Sequence, residues 1–191
     1  MKIAVQDRRL SVAAVMLVAA TIMILSARAT LGATAAGVDE DAAAALKKLY
    51  TTEPAAKMLS EKAKAILVFP SIVKGGFLAA AQYGEGVLIK DGQVAGHYNI
   101  VAGSYGFQAG AQAFGYAMFL MTDKAIEYLD KSAGWELGVG PSIVLVKKGM
   151  GKSITTTTIK DDVYGFIFNQ KGLMGGSGIQ GSKITKITPG H

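Results

Sequence analysis

Cysteine is absent from the 191-residue chain. Its absence excludes a disulfide framework, a thiolate zinc site and a cysteine nucleophile, and removes the residue on which an N-terminal lipid anchor would be built. Any membrane attachment is then non-covalent or through an uncleaved leader. Histidine is almost as scarce, with only His97 and the final His191. A Ser-His-Asp arrangement or a histidine metal site would have to be built on His97, whose neighbours Gly96 and Tyr98 read as a strand position. Arginine occurs only at Arg8, Arg9 and Arg28. Beyond residue 29 every cation is a lysine, a point charge that lacks the planar fork used for bidentate phosphate or base recognition, so nucleic acid is not an expected partner.

What is present is apolar and rich in glycine. Half of the residues are hydrophobic and 24 are glycine, which excludes disorder and, without a G-X-Y period, suggests strands with tight turns or close backbone approaches. The length suits one well-cored domain. At the N-terminus Lys2, Arg8 and Arg9 precede the apolar run Leu10–Leu25, and Ala27-Arg28-Ala29 supplies small residues for a signal peptidase. The run is shorter than a comfortable membrane span, so residues 1–29 read as a cleaved signal peptide and the protein as exported. Cleavage would remove four cations and one carboxylate, lowering the formal charge from +6 to +3. Residues 30–38 read as a disordered small-residue tether, and residues 39–191 as a single domain.

Within that domain two helices come first. Asp39-Glu40-Asp41 opens a stretch in which Ala42, Ala45, Leu46 and Leu49 recur at helical spacing, predicting a helix over 39–51 with its acids complementing the dipole. Pro54 starts a second helix. Ala65–Phe69 is an apolar β-favouring run that Pro70 should end, and Lys74-Gly75-Gly76 allows a sharp turn before Phe77. Further strands are expected at Phe77–Tyr83, Val87–Lys90, Gln93–Tyr98, Ser104–Met121, Trp135–Val139, Ile143–Lys147, Ile154–Lys160, Val163–Phe168 and Lys183–Ile187. Asp91-Gly92 is a two-residue hairpin signal, and Thr122-Asp123 caps a short helix through Leu129. Eight or nine strands call for an antiparallel sheet that closes or folds over. The fold class is therefore α+β: N-terminal helices, then a glycine-rich, mostly antiparallel sheet with one short helix between strands.

Chemistry-bearing motifs are weak. Gly149-Met150-Gly151-Lys152-Ser153 ends like a phosphate-binding loop, but the earlier glycine is replaced by Val146 and the setting is strand to strand, so a hairpin turn is expected. Gly84/Gly86 and Gly103/Gly106 lack the βαβ unit of a dinucleotide fingerprint. Asp161-Asp162 reads as a turn, since no further acid follows at calcium-loop spacing. No catalytic residue, metal or cofactor is expected. Tyr98, Tyr105, Phe107 and Trp135 read as core, with an acyl-chain interior as the alternative. Lysines offer the strongest binding signal: Lys47, Lys48, Lys57, Lys62, Lys64 and Lys74 crowd the first third of the domain, suiting an anionic bilayer surface.

The segments AKAILVFP (63–70) and KGGF (74–77), then Gly84-Glu85-Gly86-Val87-Leu88 and Gly103-Ser104-Tyr105-Gly106-Phe107-Gln108-Ala109-Gly110-Ala111-Gln112, resemble the SYLF family, also called the Ysc84-like actin-binding domain. The resemblance runs from about Leu46 to Ile187. It implies a non-enzymatic, lipid-binding module, with Lys74, Gly75 and Gly76 carried over as lipid-binding residues, placed in the bacterial periplasm or envelope. Its partner would be an anionic phospholipid or membrane surface, or alternatively an envelope protein. Actin, implied by the family name, is not expected for an exported bacterial chain.

Overall fold

The computed structural model describes residues 34–131, 135–136, 141–146, 159–176 and 179–188. The leader and residues 30–33 of the tether, the strand positions 137–139, 147 and 154–158, and the Gly149–Ser153 loop lie outside the described residues. Ala35–Pro189 form one compact unit.

Helix α1, Ala35–Thr52, begins four residues earlier than the sequence predicts and takes up positions 35–38 of the expected tether. Alanine's helix propensity extends the helix, and burial of Val38 rewards it. Asp39, Glu40 and Asp41 consequently sit past the first turn. Val38, Ala42, Ala45, Leu46 and Leu49 form the buried stripe. Helix α2, Pro54–Ser60, starts with proline where the missing N–H costs nothing, and buries Ala55, Ala56 and Leu59.

Two long strands then form a hairpin. β1 runs from Ala65 to Lys90 and β2 from Gln93 to Leu120, antiparallel along their length. Asp91 and Gly92, both at positive φ, make the predicted turn. Pro70 does not end the first strand, contrary to expectation. The ladder skips Pro70 and Ser71, and β1 has no strand on its other edge among the described residues, so no donor is missed there. The segments expected as three separate strands between 65 and 90 are one, as are Gln93–Tyr98 and Ser104–Met121.

Helix α3, Asp123–Lys131, follows; the Ala125 N–H reaches the Thr122 hydroxyl, and Ala125 and Leu129 are buried. β3 (Trp135–Glu136), β4 (Ile143–Val146), β5 (Val163–Gly176) and β6 (Ile179–Ile187) complete a six-stranded sheet. β2 is central. β1 lies along one edge of it; on the other, β5 pairs with residues 108–120 and β6 with residues 97–105. β4 joins β5 in parallel and β3 joins β6. Glycine-rich 172–181, expected as a separator, instead carries the end of β5 and the start of β6. Ile159 and Lys160, expected in a strand, are irregular. The result is the expected α+β class, with the sheet curled into a half-barrel.

The curl comes from β1 folding back on itself. A Cβ on Gly86 would lie 2.3 Å from the Val68 carbonyl oxygen, and one on Gly76 would lie 2.1 Å from that of Ala79. Only glycine lets the two arms of the strand cross this closely. The alternating side chains build a core on each face. Outside, Val68, Val87, Ala117, Phe119, Phe166 and Phe168 pack under α1 and α2. Inside, Leu67, Phe69, Leu88, Tyr98, Met118 and Leu120 pack with Ala125 and Leu129 of α3.

Candidate functional site

The candidate lysines do not form one cluster. Lys47 and Lys48 are exposed on α1, and Lys62 is exposed just after α2. Lys57, on α2, pairs with Glu61 at 3.6 Å and lies 6.0 Å from the Tyr50 ring centroid. Lys64 is ion-paired with Asp123. All five belong to the helices packed on the outer face or to the segment just after them. Lys74 alternates to the inner face, where it lines a cavity; Gly75 and Gly76 follow it at the bend.

His97 sits on β2 as a strand residue, and its Nε2 lies 2.8 Å from Asp39 Oδ1 of α1. The pair fastens the first helix to the sheet. Among the described residues no hydroxyl is hydrogen-bonded to this ring. Tyr98 points inward, fully buried, and donates to Asp130 Oδ1 at 3.2 Å. Burial first and the Asp130 charge second push its phenol pKa well up. Tyr105, seven positions on, has the opposite parity and is 77 % exposed, so it belongs to no interior. The side chains of Phe107 and Trp135 lie outside the described ones.

Asp162 knots three segments together. Thr122 Oγ1 donates to its Oδ1 at 2.9 Å, the Ser142 N–H donates to Oδ2 at 3.1 Å, and the Lys124 ammonium lies 3.4 Å from Oδ2. The Asp162 N–H in turn donates to Ser142 Oγ at 3.0 Å. The Thr122 hydrogen bond is the main reason the carboxyl pKa falls below its ordinary value. Among the described residues no group of acids, histidines or cysteines is placed to hold a metal ion, and no helix is long and apolar enough to cross a membrane.

Two surfaces remain that the sequence did not single out. The first is the far end of the outer face, beyond the helices. Three rows cross neighbouring strands there: Val73, Ala113 and Lys171; then Gly75, Ala111 and Leu173; then Phe77 and Ala109. Opposite residues share a face, so Val73, Phe77 and Leu173 project together. Phe77 is 74 % and Leu173 89 % exposed. Lys171 stands in the same rows, and Lys183 is opposite the exposed Val101 on β6.

The second is a cavity of about 210 Å³ on the inner face, between the arms of β1. Lys74, Gln82, Gln112, Tyr116 and Gln170 supply its polar lining, and Ile72, Ile100 and Phe114 part of its apolar wall. Gln82 and Gln112 carried a sequence signal: each interrupts a run of small or apolar residues in a strand, and so places an amide on a face that should be dry.

Comparison with family models places residues 101–188 in the family described as Ysc84, Las17-binding protein actin regulator. That segment is a match to the Ysc84 (SYLF) domain. The matched segment runs from the middle of β2 to just past the end of β6 and includes Lys171, Lys183, Gln112, Tyr116 and Gln170. No curated protein matches the chain.

Proposed function

We propose that this SYLF domain is a non-catalytic module that docks on anionic phospholipid surfaces, in the periplasm or envelope of a bacterium, through the far end of its outer face. One observation carries the reading: Val73 and Phe77 of β1 and Leu173 of β5 project from the same face, separated only by the alanines of β2, with Lys171 in the same rows. Singly exposed apolar residues are ordinary, but a contiguous group rimmed by cations has the chemistry of an interfacial anchor. Burying Phe77 and Leu173 in the acyl boundary contributes about 1.5–3 kcal/mol each. Each lysine close to an anionic surface adds about 1 kcal/mol. Lys47, Lys48 and Lys62 are exposed on or just after the helices that pack on the same side of the sheet. His97 serves in this reading as a fastening between α1 and the sheet, through its contact with Asp39. Export is supported by the signal-peptide layout of residues 1–29.

The competing reading is an envelope interaction module, which the edge of β1 that no other strand covers among the described residues and the protein partner in the family's description favour. Flotation with neutral and anionic vesicles at two salt concentrations separates them. The parent is expected to float with anionic vesicles, less so at high salt. The double variant Phe77→Ser/Leu173→Ser is expected to stay at the bottom at both concentrations with an unchanged melting temperature. If that variant floats as well as the parent, this surface is not the membrane face. If the parent floats with neither vesicle at either salt, the interaction module takes precedence.

A further inference from the structure

The cavity between the arms of β1 holds two buried polar side chains, Gln82 and Tyr116, that lack a hydrogen bond among the described residues. Gln82 is 6 % exposed and Tyr116 is 5 % exposed. Burial alone, with no hydrogen bond, pushes the Tyr116 phenol pKa upward. Buried amides and phenols are nearly always satisfied, because leaving them dry and unpaired destabilises the fold. Two such groups on one cavity ask for an occupant.

The lining defines what that occupant is. It includes the Lys74 ammonium, the amides of Gln82, Gln112 and Gln170 and the Tyr116 hydroxyl, and among the described residues no carboxylate. Four neutral donor-bearing groups and one ammonium complement an acceptor-rich anion, and charge-assisted bonds to such a group are the strong ones. The three amide oxygens accept in turn from hydroxyls on the ligand, while Ile72, Ile100 and Phe114 cover a short carbon skeleton. A cavity of about 210 Å³ falls below the usual ~300–1,000 Å³ of drug-sized sites, so the ligand is small. We propose that the inner cavity binds a phosphate ester of a short polyol, chemistry shared by free glycerol phosphate and a glycerophospholipid headgroup. The site lies on the opposite face of the sheet from the proposed docking surface and does not depend on it.

The test uses the full mature chain and soluble probes. Titration with glycerol 3-phosphate, followed through the glutamine side-chain amide resonances and by calorimetry, is expected to shift Gln82 and give a dissociation constant of about millimolar or tighter. Inorganic phosphate should bind more weakly and glycerol not at all. Lys74→Met and Gln82→Leu should each weaken binding by about tenfold or more. Gln112→Leu, on a half-buried position, repeats the test should the Gln82 variant fold poorly. The proposal is overturned if glycerol 3-phosphate leaves the Gln82 amide unmoved. It is equally overturned if Gln82→Leu melts higher and binds as the parent does, which would make the cavity a water-filled void. The source is read by adding phosphatidylglycerol vesicles: competition with the soluble ester identifies a headgroup site, and its absence a site for the free ester. The Phe77→Ser/Leu173→Ser variant should keep its affinity for the soluble ester, so failure of the docking surface and failure of the cavity give different results.

Discussion

Replacing Gly86 by alanine tests the feature on which the whole sheet depends, the crossing of β1 over itself. The added methyl carbon would stand 2.3 Å from the Val68 carbonyl oxygen and 2.6 Å from a ring carbon of Phe69. A carbon–oxygen contact relaxes only beyond 3 Å, so the arms must separate by roughly an ångström at a point where both are buried. The obstruction is backbone held in the β1–β2 ladder, and no rotamer change relieves it. Overpacking of this kind costs typically about 1–3 kcal/mol, and the alanine recovers about 0.5–1 kcal/mol through lower unfolded-state entropy. The expected net loss is about 1 kcal/mol, or roughly 2–4 °C in melting temperature for a domain of this size. Gly103→Ala is the control. A Cβ there meets nothing within 4 Å, so the same substitution on the same sheet should be neutral or stabilise by up to about 1 kcal/mol. Urea unfolding of both variants measures the difference. Equal effects at Gly86 and Gly103 would mean that the arms do not cross as described, and the inner cavity would lose its walls.

Acid and alkali probe two other parts of the fold. Asp162 has a lowered pKa in the folded state, so its contribution is full above the ordinary carboxylate pKa of 3.8 and is lost as the pH falls through the lowered value. Asp162→Asn should cost about 1–2 kcal/mol at neutral pH and make stability less pH-dependent below pH 4, whereas an acid limb identical to the parent's would show that the Thr122 bond does not shift the carboxyl. At the other extreme, burial with help from Glu85 raises the Tyr83 phenol from 10.0 to about 12. Tyr98 and Tyr116 are raised too, chiefly by burial. Phenols that stay protonated longer in the folded chain contribute stability that is complete below pH 10 and declines as the pH rises toward 12. Absorbance titration should show tyrosines that ionise only above pH 10, and ionisation of all seven together at pH 10 in the folded protein would contradict the burial of Tyr98 and Tyr116.

How much of this could be read from the residues depends on whether the deciding interaction was local. The Asp91-Gly92 turn, the Thr122 cap, the proline start of α2 and the buried stripe of α1 are set within one or two turns of chain, and each was legible. Pro70 reads locally as a strand end, but its meaning depends on a partner strand: in a central strand it would end pairing, whereas among the described residues β1 pairs on one side only. Gly84 and Gly86 read locally as a boundary between strands, whereas the second is a crossing point with Val68, 18 positions away in sequence. A stretch of 26 residues is also far longer than the usual strand of about 5–6, so dividing it was the natural error.

The same distinction explains the site. Proximity in sequence grouped Lys74 with the helix lysines, but strand alternation turns it to the inner face, away from them, where a longer-range fold brings it to Gln82 and Tyr116. Phe77 was visible as the residue after two glycines, yet nothing local says that Leu173, nearly a hundred positions later, stands two strands away on the same face. Both surfaces are therefore products of the curl. Opening the crossing at Gly86 should disturb the inner cavity, which is walled by both arms of β1, and leave the outer patch, whose rows lie on the first arm, β2 and β5. A Gly86→Ala chain that still floats on anionic vesicles but no longer binds glycerol 3-phosphate would separate the two surfaces by geometry alone.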